Sequence, residues 1–147
     1  ERAEALSQIK RYSELKEKLI SLNVQVWADE KFTALVDIAS KGDQLFGQEY
    51  FGKSAENYAK ANNGLIDLIN ESSIMLEQYI LSGFEYLAKE KISEAIEEFN
   101  KALAIEAENL QAKEGINRAT VMDNLLLILE QIILHHLFLG YLFFHSF

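Results

Sequence analysis

The sequence contains no cysteine, no proline and only seven glycines in 147 residues. Without cysteine there are no disulfide staples, thiolate metal sites or cysteine nucleophiles. Without proline and with few glycines, a β protein built on many tight turns is disfavoured, and long helices meet little to break them. Positive charge is scarce too: 14 Lys and Arg stand against 23 Asp and Glu, a formal net charge of −9. That field opposes non-specific contact with a phosphate backbone, which excludes nucleic acid from the expected partners. Apolar residues are plentiful, 49% against 25% charged, enough to bury the core of one domain. The chain starts at Glu1 rather than Met, which suggests a fragment or a processed product.

Apolar residues recur at helical spacing. Leu6, Ile9, Tyr12, Leu15, Leu19 and Leu22 draw one stripe, so a first helix is expected over 1–22, with Asn23 as its stop. A second helix is expected from Trp27 to Gly47 and a third from Phe51 to Ile69. Asn70-Glu71-Ser72-Ser73 reads as a break whose side chains cap a fourth helix, from Ser73 to Ala88. A fifth follows from Ser93 to Ile105, and a sixth from Asn109 past Met122. No segment reads as a strand, so the expected class is all-α.

A second pattern lies over the helices. Within the 34 residues from Leu76 to Asn109, Tyr79, Gly83 and Tyr86 fall on one helix and Ala95, Phe99 and Ala102 on the next, at steps of four and three. Small residues let two backbones approach and aromatic rings fill the remaining gaps. This set, with the stretch YLAKEKISEAIEEFNKALAIEAEN, resembles the tetratricopeptide repeat family. Ser82 and Ala107 depart from its pattern, standing where leucine and proline are usual. A weaker copy lies 41 residues upstream, pairing Gly42 with Gly83, Leu45 with Tyr86, Ser54 with Ala95, Tyr58 with Phe99 and Ala61 with Ala102.

The resemblance implies antiparallel helical hairpins stacked as a short right-handed solenoid. In that arrangement 1–124 forms the repeat-like domain, with 1–22 as a capping helix and the repeats over about 27–120. It also implies a non-catalytic interaction module that holds a peptide or helix of another protein in a groove lined by the first helix of each hairpin. Register on those helices selects Asp43 and Phe46, then Glu77, Ile80, Phe84 and Leu87, with Arg118 at one end. The lysines, arginines and asparagines with which some family members grip a carboxyl terminus are replaced here by Ala39, Asp43, Ile80 and Phe84, so an apolar contact bordered by acid is expected instead.

Catalytic chemistry has little to work with. Glu94, Glu97 and Glu98 sit at the spacing of a solvated helix face, and the glycines form no phosphate loop. His135, His136 and His145 are the only histidines; neighbours on a helix point about 100° apart, so a metal site is not expected, nor any cofactor.

The last segment, 125–147, is a different material: sixteen apolar residues and no lysine or arginine. A helix apolar nearly all round must be buried in something. Three covers compete: the chain's own repeat groove, a second copy of the chain meeting Leu126, Leu129, Ile133, Leu137 and Phe144 in a homo-oligomer, or a membrane in which the tail anchors an assembly subunit; a tail foreign to the native protein is the remaining reading.

Overall fold

The computed structural model describes the backbone of residues 1–145 and the side chains of 1–141. Among the described residues every regular element is a helix: α1 (Arg2–Ser21), α2 (Val24–Trp27), α3 (Asp29–Gly47), α4 (Phe51–Ala88), α5 (Ile92–Ile105) and α6 (Leu110–His145). The all-α class is therefore correct. Asn23 ends the first helical run as expected, in the left-handed region at φ 50 and ψ 45.

One expected boundary fails and another shifts. The helix expected over Trp27–Gly47 starts two residues later, at Asp29, because the chain bends at Ala28 after the short α2, which the sequence did not foretell. Here the Trp27 indole N–H donates to the Leu22 carbonyl at 3.0 Å, folding the short α2 back onto the end of α1. The break expected at Asn70–Ser73 is absent, and α4 runs unbroken for 38 residues, about 57 Å. Its polar residues find partners without leaving the helix. Ser72 and Ser73 donate to the Ile69 and Asn70 carbonyls at 2.7 and 3.1 Å, while Glu71 reaches across to Lys31 at 2.7 Å.

This long helix organises the molecule. The first half of α4 is flanked by α1 and α3. Leu35 against Gly64 and Gly42 against Tyr58 show that α3 runs antiparallel to it. Glu1 beside Gly52 and Gln8 bonded to Asn62 show that α1 runs parallel to it. Their shared core holds Tyr12, Leu19, Val24, Phe32, Ala39, Tyr58, Leu65 and Leu68. The second half of α4 packs with α5 and the start of α6 around Ile80, Ala95, Phe99, Ala102 and Ala112. The two groups follow one another along α4 and do not lie side by side. They are tied at the seam where the Asn23 side chain donates to the Ala104 carbonyl at 2.6 Å.

The two α-hairpins, α3–α4 and α4–α5, turn in the same way. Glu49 (φ 62) and Glu90 (φ 58) both occupy the left-handed region. Around the first, the Glu49 and Tyr50 amides donate to the Phe46 and Leu45 carbonyls at 3.0 and 2.9 Å. Around the second, the Glu90 and Lys91 amides donate to Leu87 and Tyr86 at the same distances, 3.0 and 2.9 Å. Each participating residue is 41 positions from its counterpart.

Candidate interaction surfaces

The six residues expected to pack the second hairpin do converge there. Ala95, Phe99 and Ala102 are buried along α5, with Gly83 facing them from α4. A Cβ on Gly83 would stand 2.5 Å from the Phe99 ring, and one on Gly115 of α6 would stand 2.3 Å from its far edge. Phe99 is thus gripped between two glycines on different helices. Gly115 lies outside the set expected from the sequence; its spacing of 32 residues from Gly83 was the available signal. Tyr79 and Tyr86 pack at the rim, half-buried. Lys101 lies 5.8 Å from the Tyr79 ring centroid and pairs with Glu97 and Glu98 at 2.9 and 2.7 Å. Its hydrogen bonds to Glu98 and Glu97 push its ammonium group above the usual lysine range. Burial, the leading cause, raises the Tyr79 phenol.

The first hairpin repeats the crossing with a polar addition. A Cβ on Gly42 would stand 2.8 Å from the Tyr58 ring, the contact that Gly83 makes with Phe99. Tyr58 also donates its hydroxyl to the Asp43 carboxylate and meets the edge of Tyr12, ring centroids 5.4 Å apart. Burial first, then the bond to Asp43 and its negative charge, push the Tyr58 phenol well above its ordinary value of 10.0. Tyr12 moves the same way through burial and Asp43.

The residues expected to line one groove form two separate patches. Asp43 is engaged by Tyr58, and Phe46 packs edge-on against Phe51 with centroids 5.0 Å apart, both near the start of α4. Glu77, Ile80, Phe84 and Leu87 lie near its other end, where α6 brings Arg118. From Tyr58 to Phe84 is 26 positions along one continuous helix, roughly 39 Å. In a stack of separate hairpins these positions would be neighbours; the continuous α4 holds them apart. Ile80 is 8% exposed and belongs to the core, so its side chain is not offered to a partner. Phe84 is half-buried, its ring 5.0 Å from that of Phe99 and 5.9 Å beneath the Arg118 guanidinium. Arg118 is itself paired with Glu114, and Glu77 is exposed on the same stretch of α4 as Phe84.

The tail stands apart from both patches. Helix α6 starts at an Asn109 cap, whose side-chain oxygen accepts the Ala112 amide at 3.0 Å. Ala112, Gly115 and Ala119 seat its first turns against the body. From Asp123 to Tyr141 every residue is exposed, including Leu126, Leu129, Ile133 and Leu137 at 38%, 54%, 56% and 66%. Phe144, expected with them at a self-association seam, has its side chain outside the described residues. Among the described residues no three His, Asp or Glu side chains gather to hold a metal ion.

An open cleft of about 320 Å³ between α1 and α4 is lined by Glu1, Glu4, Gln8, Gly52, Ala55, Glu56 and Ala59. Its acidic rim was not foreseen from the sequence. Compared with known proteins, the chain matches no family model, no curated protein and no solved structure.

Proposed function

We propose that the chain is a non-catalytic protein-interaction module, a scaffold of tetratricopeptide-like hairpins that holds a peptide or helix of another protein. Support for the hairpins as two copies of one unit comes from the paired turns at Glu49 and Glu90 and the paired crossings Gly42–Tyr58 and Gly83–Phe99. In this unit the link between copies has become helix, so the short solenoid of the family is drawn out along α4, with α1 covering the first hairpin.

The observation that carries the binding role is the arrangement at Phe84. An aromatic ring lies under the exposed Arg118 guanidinium, with Leu87 one turn on and Glu77 two turns before. A partner helix that displaces the Arg118 side chain gains an apolar anchor site bordered by charge of both signs, the logic of a helix laid in a groove.

The test is selection of binding peptides from a random library on the full chain held in mild detergent. Peptides selected at this face lose on the order of 10-fold or more in affinity on Arg118→Glu, a change of about 1.4 kcal/mol, the scale of one anchoring contact at an interface. The same peptides are indifferent to Asp43→Asn at the far end of α4. Selected peptides that ignore Arg118→Glu refute the assignment. The outer half of α6 lies beyond this face and needs a cover of its own, either a second copy of the chain or a lipid bilayer.

A further inference from the structure

We infer that the outer half of α6, from Leu125 onward, inserts into a lipid bilayer as a spanning helix and is not the seam of a homo-oligomer. The inference is independent of whether the face at Phe84 binds a peptide. Helix α6 is the one described helix long and apolar enough to cross a membrane, and none of its most apolar stretch is buried against the body.

The distribution of its side chains decides between the two covers. A helix that packs on a copy of itself shows an apolar stripe and a polar back. Here Leu125, Leu126, Leu127, Ile128 and Leu129 occupy five consecutive positions and so point in every direction, each 38–56% exposed. Ile132, Ile133 and Leu134 do the same one turn later, at 48–66% exposed. A second chain would cover one side of this cylinder and leave the rest in water, whereas lipid covers all of it. The same pattern separates a span from a helix lying in the interface, which needs a charged face.

Length and charge agree. The helical residues 125–145 measure about 31 Å, against a hydrocarbon core of about 30 Å. No lysine or arginine occurs from Leu125 to Phe147. Glu130 and Gln131 then lie about 8–9 Å inside the hydrocarbon and His135 and His136 near its middle, so these four are the costly residues of the span, set against the apolar side chains around them. The net charge of −9 repels anionic headgroups, so attachment depends on apolar burial and not on charge attraction.

The experiment is flotation of the full chain, reconstituted from detergent into vesicles of neutral phosphatidylcholine. The chain floats with the vesicles, high salt does not release it, and adding phosphatidylserine does not improve it. Ile132→Lys and Leu134→Lys are then compared. These two sites lie at the same depth and point about 160° apart. Insertion predicts that both lose partitioning to a similar extent, on the order of 100-fold, while helical circular dichroism is retained. Gln78→Lys, a cation added to the body surface, leaves flotation unchanged. Loss with only one of the two tail variants, or a discrete dimer in detergent-free buffer that does not float, overturns the inference in favour of self-association. Flotation that survives both variants overturns it as well.

Discussion

The two halves of α4 solve the same packing problem with different chemistry. In the first, a glycine meets a tyrosine whose hydroxyl is tied to Asp43, and the surrounding core includes buried Ser54 and Asn62. Ser54 donates to the Gly42 carbonyl at 2.9 Å, and Asn62 donates to Gln8 at 2.9 Å, so polar bonds fix the register of α1 and α3 on α4. In the second, the tyrosine is replaced by Phe99 and the serine by Ala95, and two glycines close on one ring. A crossing can be specified by hydrogen bonds that hold only in one register, or by a shape that fits only one way. This chain uses the first device at one end and the second at the other.

Removing the ring at each crossing is the severest way to break the comparison. Phe99→Ala empties a site closed on both sides and is expected to cost about 3–5 kcal/mol in chemical denaturation followed by helical circular dichroism. Next come the glycines. Alanine normally gains about 0.5–1 kcal/mol over glycine inside a helix, but a Cβ at Gly83 or Gly115 meets a ring with nowhere to move. Gly83→Ala and Gly115→Ala should each destabilise by about 1–3 kcal/mol. At Gly64 the nearest atom, 2.3 Å from the added Cβ, is the tip of the Leu35 side chain, which can rotate away; Gly64→Ala should be close to neutral by the same measurement.

How much of this was legible follows from the kind of signal each feature leaves. The α3 and α5 helices, the stop at Asn23 and the small-and-aromatic set around Phe99 rest on local spacing, and a sequence displays local spacing directly. The helix through Asn70–Ser73 was not legible, because serine and asparagine favour caps only when nothing better is offered. Here Ile69 and Asn70 carbonyls accept the two hydroxyls, and Lys31, 40 residues away, takes Glu71. The division of the expected groove into two patches follows from that one misreading: a helix in place of a turn moves Asp43 and Phe84 from adjacent hairpins to opposite ends of a rod.

Two smaller tests sharpen the contrast. Tyr58→Phe keeps the ring and deletes the bond to Asp43, and should cost on the order of 1 kcal/mol at neutral pH. The wild-type chain should also lose stability with alkali. Unfolded tyrosines give up their protons as pH passes about 10, whereas folded Tyr58 and Tyr12 hold theirs to higher pH. The unfolded state then binds fewer protons, so the contribution of these groups, complete below about pH 10, drains away above it. Denaturation curves of Tyr58→Phe should show a shallower alkaline decline than those of the wild type.

The smallest effect probes the paired turns. Glu49 and Glu90 adopt a conformation that costs about 1–2 kcal/mol for a residue with a side chain, partly offset because glycine is more disordered when unfolded. Glu49→Gly and Glu90→Gly should each raise stability by about 0.5–1 kcal/mol. Gains of unequal size would show that the two turns carry different loads despite their matching bonds.

On the proposed binding role, the unbroken α4 also makes the molecule a gauge. For the proposed interaction module, an extended peptide advances about 3.3 Å per residue, so a ligand needs about fifteen residues to span the roughly 50 Å from Phe51, beside Phe46, to Phe84. Shorter ligands must choose one end. A longer one that grips both gains from the second contact as an intramolecular event, and the rod sets the spacing its two anchors must have. In the proposed interaction role, discrimination by length then comes from the uninterrupted run of α4 between the two patches.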